Sequence, residues 1–196
     1  QIYKKADFRD SDYDQYGSVG YIGGKIENAK MEFAEAWTTK IHTSYDEEGK
    51  KHETRVTTFN GLVIAITSEK FFVNGYIHIF SDKDDKSIFK FREKEEKVHM
   101  DSMEFEENFD VYASDPIKAM EILTSDTMQR LIEEKQIIKD KYEISITENF
   151  IIVRIFDNSK SLFNIRTTKT KPDERAQQIK MDLLNDLKAA LELGGY

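Results

Sequence analysis

The chain has 196 residues, carries a formal net charge of −8 and contains no cysteine. Disulfides, thiolate metal sites and cysteine nucleophiles are therefore excluded, and the negative charge disfavours nucleic acid or an anionic membrane surface as the main partner. No apolar run reaches the roughly 18 residues that cross a bilayer. The aromatic content of 12% predicts a folded chain rather than a disordered one, and we expect one domain over residues 1–196 with a subdivision, if any, near residue 104.

The first 80 residues predict an antiparallel strand meander. Residues 1–18 predict a short helix or turn packed by its aromatic side chains, and the glycines within residues 19–26 predict a bent or bulged strand. Residues 29–45 alternate between two faces with a period of two, which indicates a long strand. Further strands are predicted at residues 52–59, 62–66 and 76–80, with turns at Asn60-Gly61 and Asn74-Gly75.

A pair of helices is the densest structural signal in the chain. Asp115 is a helix N-cap residue that precedes Pro116, and proline is favoured at the first position of a helix. Thr124 then opens a second helix over about residues 125–138, in which Met128 and Leu131 form part of one apolar stripe.

The rest of the chain predicts a hairpin and a terminal helix. The hairpin pairs residues 142–147 with residues 149–156, and the helix begins at Pro172 and ends at Gly194. The predicted fold class is therefore α+β, mostly an antiparallel sheet meander with a helical pair after Asp115 and a C-terminal helix.

Two motifs resemble ligand-binding loops and fail on spacing. A phosphate loop needs a glycine five residues before its Gly-Lys pair and a Ser or Thr after it, but Val19 and Ile26 stand there. An EF-hand needs glycine at the sixth position and glutamate at the twelfth, where this chain has Gln15 and Tyr21. Ordinary turns are favoured for the glycines and aspartates concerned, namely Gly17, Gly20, Gly23, Gly24, Asp10, Asp12 and Asp14.

Other reactive or binding groups are scattered. Zinc needs three or four convergent ligands, and the four histidines lie on separate predicted elements: His42, His52, His78 and His99. We therefore predict no catalytic, cofactor or metal site. Core filling is favoured over an apolar groove for the aromatic residues Phe33, Trp37, Phe71 and Phe72, and a solvated loop over a basic patch for Lys160, Arg166, Lys169 and Lys171.

Three segments resemble the bacterial proteins grouped as domain of unknown function 3137. They are residues 16–32 with the step Gly24-Lys25-Ile26, residues 59–63, and the stretch from Val111 to Leu131. Lys118 and Ser125 depart from the family pattern. The resemblance implies a bacterial protein whose full-length form usually carries two transmembrane helices upstream of a soluble domain, and we expect this domain on the cytoplasmic side of the membrane. It implies no known activity, so no catalytic residues are carried over.

These observations favour a non-enzymatic binding or scaffolding domain whose protein partner or small ligand is unknown, with membrane contact only through segments outside this chain. One alternative is a hydrolase-like enzyme with a site assembled from His78, His99 and carboxylates. Another is a small-ligand sensor with an apolar pocket under Trp37.

Overall fold

The computed structural model describes residues 3, 6, 8, 12–26, 29–68, 72–81, 96–138 and 140–156. In this part of the chain, eight antiparallel strands form one sheet in the order β1-β2-β3-β8-β7-β4-β6-β5. Their bounds are β1 Gln15–Ile26, β2 Ala29–Tyr45, β3 Lys51–Ser68, β4 Val73–Phe80, β5 Glu96–Val98, β6 Asp110–Ala113, β7 Tyr142–Glu148 and β8 Phe150–Phe156. The first three strands form a long meander, and β8 then separates β3 from the rest of the sheet.

Among the described residues of the second half of the chain there are three helices: α1 Met103–Asn108, α2 Pro116–Ile122 and α3 Ser125–Ile137. Each begins at a side-chain cap. The Ser102 hydroxyl accepts from the Phe105 amide, the Asp115 carboxylate from the Lys118 amide, and the Thr124 hydroxyl from the Thr127 amide, which satisfies amides that lack an intrahelical partner. Among the described residues no helix is long and apolar enough to cross a membrane.

The sheet buries side chains on both faces. One face, the helix face, packs against α1–α3, and its core joins Phe105, Leu131 and Ile132 of the helices to sheet residues such as Ile64 and Ile144. The opposite face, the N-terminal face, is formed by the alternate residues of the same strands and packs against the described residues Tyr3, Ala6 and Phe8 near the start of the chain. Its buried apolar residues are Tyr3, Ala6, Phe8, Ala36, Phe59, Val63, Ala65 and Ile152.

The predicted α+β fold class is wrong. Strands hold 59% and helices 21% of the described residues, so the architecture is one large antiparallel sheet with a small helical layer. Local sequence signals overweighted the helices, because capped helices are marked by short motifs whereas sheet extent depends on distant partners. The helical pair after Asp115 and the hairpin of β7 and β8 are present. The predicted C-terminal helix lies outside the described residues.

Two predicted turns are also wrong. Asn60-Gly61 lies inside β3, where the two residues pair with Trp37 and Ala36 of β2; the continuous partner strand keeps the chain extended through this dipeptide. Asn74-Gly75 lies within β4 at a register shift, and Gly75 adopts a φ of 113° that favours glycine. A β-carbon there would also lie 2.0 Å from the Ser114 hydroxyl oxygen, so this site is a bulge rather than a turn.

Candidate interaction surface

The two edges of the described sheet differ in length and charge. β5 has three described residues, and two of them, Glu96 and Lys97, are exposed and charged. The Lys97 ammonium lies 2.7 Å from Asp110 on the neighbouring strand, and this hydrogen bond raises the pKa of Lys97. A short, charged edge is one way in which proteins prevent a further strand from pairing.

The edge formed by β1 is neither short nor charged, so it lacks both features that prevent pairing at β5. The strand has 12 residues, and Gln15 to Gly24 is a run without a charged residue or a proline in a chain that is 34% charged. Its large side chains are exposed, with Val19, Tyr21 and Ile22 at 50%, 64% and 57% of their full area. Within the described part of the chain, no strand pairs with the outer edge of β1.

A bulge at Gly20 distributes the β1 side chains over two faces. The register against β2 shifts between Val19 and Tyr21, and Gly20 has a φ of 66°, which glycine adopts without strain. Paired residues of neighbouring strands share a face, so Val19 and Ile22 stand with their partners on the helix face. Tyr21 instead stands on the N-terminal face.

Aromatic rings cover two of the β1 glycines. Trp37 of β2 pairs directly with Gly17, and a β-carbon at Gly17 would lie 2.0 Å from Cζ2 of the indole. A β-carbon at Gly23 would lie 2.7 Å from the Tyr21 hydroxyl. The glycines thus let flat rings lie against the edge strand, an arrangement that compensates for the missing glycine side chain.

We expect Gly17→Ala to displace the Trp37 ring, because the added methyl group would occupy the space of the indole. The ring is the far end of a side chain that is already 39% exposed, so it should rotate into solvent with little loss of stability. Trp37 is the only tryptophan, so red-shifted emission and stronger acrylamide quenching would report this directly. Gly24→Ala is the matched control, since nothing lies within 4 Å of its added β-carbon; equal spectra for both variants would contradict the packing.

A small polar network fixes Tyr21 on its face. The Tyr21 hydroxyl and the Lys30 ammonium both donate to Oε1 of Glu32, the latter at 3.0 Å. The hydrogen bond that Tyr21 donates to this carboxylate lowers the pKa of Glu32 and raises the pKa of Tyr21. Tyr21 is therefore held across the pair of strands instead of moving freely in solvent.

Beyond β1, strands β2 and β3 continue as an exposed ribbon. Residues 40–45 pair with residues 51–56, and Asp46 closes the turn between them by accepting from the amides of Glu48 and Lys50. Its second oxygen lies 2.8 Å from Nε2 of His52. These contacts, led by the one with His52, lower the pKa of Asp46, so the turn is held by a charged carboxylate.

Comparison with protein-family models shows the family of the chain. The model of the family described as "Protein of unknown function (DUF3137)" matches residues 57–194. The chain belongs to this family. The match begins within β3, so β1 and β2 precede the residues it covers.

Other comparisons add one structural neighbour. No curated protein matches this sequence. Among solved structures, the chain is similar to the crystal structure of the mycobacterial trehalose monomycolate transport factor A, TtfA, at 10% identity and a TM-score of 0.46. The alignment covers 96% of this chain and 94% of that one.

The glycines and aspartates that were compared with phosphate and calcium loops have structural roles. Gly17, Gly20, Gly23 and Gly24 lie within β1. Lys40 donates to Asp12, and Asp14 accepts from the Ile41 amide at 2.6 Å, whereas Asp10 lies outside the described residues. Among the described residues, no group of three or more histidine, aspartate or glutamate side chains could hold a metal ion.

The structure does not bring His78 and His99 together as a hydrolase-like site requires. His78 is fully buried on the N-terminal face, with Nε2 3.2 Å from the Ala6 carbonyl. The side chain of His99 is 80% exposed, and its Nδ1 lies 3.6 Å from Glu106. His42 and His52 lie on the exposed ribbon.

The aromatic candidates are divided between core and surface. Phe33 packs against the helix-face core, Trp37 lies over Gly17, and Phe72 is 65% exposed. Phe71 lies outside the described residues, as do the basic residues Lys160, Arg166, Lys169 and Lys171.

Sequence reasoning missed the exposed β1 edge and a buried charged pair, Glu143 and Arg154, on the N-terminal face. The edge had a signal, because an uncharged run with four glycines stands out in a charge-rich chain. The charged pair also had a sequence signal, because Glu143 and Arg154 each interrupt an otherwise apolar strand. Charged residues are rarely buried unless they are paired, so they mark a strand face that holds more than apolar side chains.

Proposed function

We propose that this domain is a non-enzymatic binding module that adds an extended segment of a partner protein to the outer edge of β1. The proposal is supported by one observation above all: the long, uncharged and exposed edge of β1 stands at one end of a sheet whose other described edge is short and charged. Strand addition to an exposed sheet edge is a recurrent mode of peptide recognition.

The energetics favour such pairing. A strand added to β1 satisfies outward backbone groups, and each hydrogen bond contributes about 0.5–1.5 kcal/mol net. It also covers part of Val19 and Ile22 on one face and of Tyr16 and Tyr21 on the other, all of which are exposed. Apolar surface removed from water contributes roughly 25 cal/mol per Å², so backbone and side chains act together.

The two faces of β1 also set the chemistry of the partner. On the helix face the added strand would lie beside Val19 and Ile22, with Trp37 one strand further in. On the N-terminal face it would lie beside Tyr16 and Tyr21. The preferred segment therefore has β-branched or aromatic residues at alternate positions on both faces and no proline.

We expect Ile22→Lys to weaken binding of such segments by at least tenfold, because the charge stands where the partner side chain must pack. Random peptides as long as β1 would be selected by display on the wild-type chain, and the affinities of the enriched sequences measured by fluorescence anisotropy. Ile117→Lys is the matched control, since Ile117 is 71% exposed on α2, which contacts β5 and β6 at the opposite end of the sheet from β1. Equal affinities for all three proteins would contradict the proposal.

We also propose that the full-length protein holds this domain on the cytoplasmic side of a bacterial membrane through segments outside this chain. The support is the family membership together with the anchors that the resemblance implies. A full-length protein that leaves the membrane fraction on a carbonate wash would contradict this second proposal without affecting the first.

A further inference from the structure

The N-terminal face of the sheet carries a built polar site at its centre. Arg154 of β8 and Glu143 of β7 are cross-strand partners, both are 2% exposed, and Nε of the arginine donates to the carboxylate at 2.6 Å. Lys141 lies 3.4 Å from the other oxygen of Glu143. Because the pair is formed between two strands of the sheet, the guanidinium is oriented by the sheet itself.

The remaining donors of this site point to residues from the start of the chain. Arg154 NH1 donates to the Tyr3 hydroxyl at 2.8 Å. The Ser145 hydroxyl donates to the Ala6 carbonyl, which also lies 3.2 Å from Nε2 of His78. A carbonyl only accepts hydrogen bonds, so Nε2 of His78 carries a hydrogen in this contact.

Aromatic rings complete the site around the guanidinium. The Arg154 carbon Cζ lies 4.2 Å from the centroid of the Phe8 ring, 5.1 Å from that of Phe156 and 5.5 Å from that of Phe59. Phe156 and Phe59 belong to the sheet, whereas Phe8 comes from the start of the chain. Stacking on aromatic faces is a favourable environment for arginine.

We propose that the N-terminal face is a recognition surface for a short peptide segment, and that Tyr3, Ala6 and Phe8, the N-terminal trio, occupy it as an exchangeable ligand in cis. The sheet recognises three groups: the phenol of Tyr3, the backbone carbonyl of Ala6 and the phenyl ring of Phe8. The donors belong to β4, β7 and β8 and lie 72 to 151 residues away from the trio in sequence. This surface is separate from the β1 edge and goes beyond the proposed function.

The test uses the intact chain, which has no cysteine of its own. Ser145→Cys places a thiol under the trio, and Val153→Cys places one at an equally buried position on the helix face. We expect the thiol at position 145 to react with a maleimide at least tenfold faster than the thiol at position 153, because the trio leaves without unfolding of the sheet. Equal rates would show that the trio opens only with the whole domain and would overturn the proposal.

Competition identifies the ligand. In a Tyr3→Ala/Phe8→Ala variant of the intact chain carrying Ser145→Cys, we expect labelling to rise and excess synthetic peptide of residues 1–14 to slow it at least fivefold. The same peptide with alanine at positions 3 and 8 is the control. A variant that fails to fold, or labelling that neither peptide slows, would overturn the proposal, because the trio would then be an inseparable part of the core.

Discussion

Arg154→Ala should lower the free energy of unfolding by about 3–5 kcal/mol, the range expected when one partner of a buried ion pair is removed. Arg154 and Glu143 are each 2% exposed, so the remaining carboxylate would be buried without its main countercharge. Lys141 lies 3.4 Å from that carboxylate and offsets only part of the loss. The variant also loses the contacts of the guanidinium with Tyr3 and Phe8.

Urea denaturation followed by circular dichroism measures this loss, and a double-mutant cycle separates the pair from its surroundings. We expect Glu143→Ala/Arg154→Ala to be more stable than the sum of the two single effects implies. Lys118→Ala is the control for an exposed ion pair, here with Glu121 at 3.0 Å, and should cost about 0.5 kcal/mol or less. A loss below about 1 kcal/mol for Arg154→Ala would contradict the assigned burial.

Phe105→Ala should be comparably destabilising, by about 3–5 kcal/mol, as for other fully buried phenylalanines. Phe105 is 0% exposed in the helix-face core, and its ring stacks on that of Phe109 with centroids 4.8 Å apart. It is the one buried side chain of the six-residue helix α1. A helix this short is unstable alone, so loss of its anchor should detach it from the sheet.

Met103→Ala is the matched control for this prediction because it truncates a large apolar side chain of the same helix that is 81% exposed. Surface substitutions of this kind usually change stability by about 0.5 kcal/mol or less. Thermal unfolding of the two variants should therefore differ clearly. Similar melting temperatures for both would mean that α1 does not pack on the sheet through Phe105.

The locally encoded parts of this fold are those that the sequence predicts well. Asp115 and Thr124 cap α2 and α3 through their own side chains, and β7 pairs with β8 through a turn in which Glu148 has a φ of 51°. Each of these structures is determined by residues a few positions apart. Propensity and spacing therefore suffice to find them.

Features that depend on distant partners were not predictable in this way. Asn60-Gly61 remains extended because β2 continues opposite it, and β3 pairs with β8 rather than with β4, which follows it in sequence. The strand order likewise brings Glu143 beside Arg154. It also places His78 and Ser145 together, where both hydrogen-bond the Ala6 carbonyl. The sheet order had to be known before either surface could be recognised.

Protection of backbone amides along β1 tests the central claim most directly. Hydrogen exchange of the labelled domain would be followed by NMR with and without a peptide selected on the wild-type chain. Strand addition predicts that alternate amides become protected on each side of Gly20, over Gln15–Val19 and Tyr21–Gly24, since every second residue of an edge strand directs its amide outward and the bulge shifts this alternation. Exchange that stays unchanged along β1 while the peptide shifts resonances of the helices or of β5 would contradict the account.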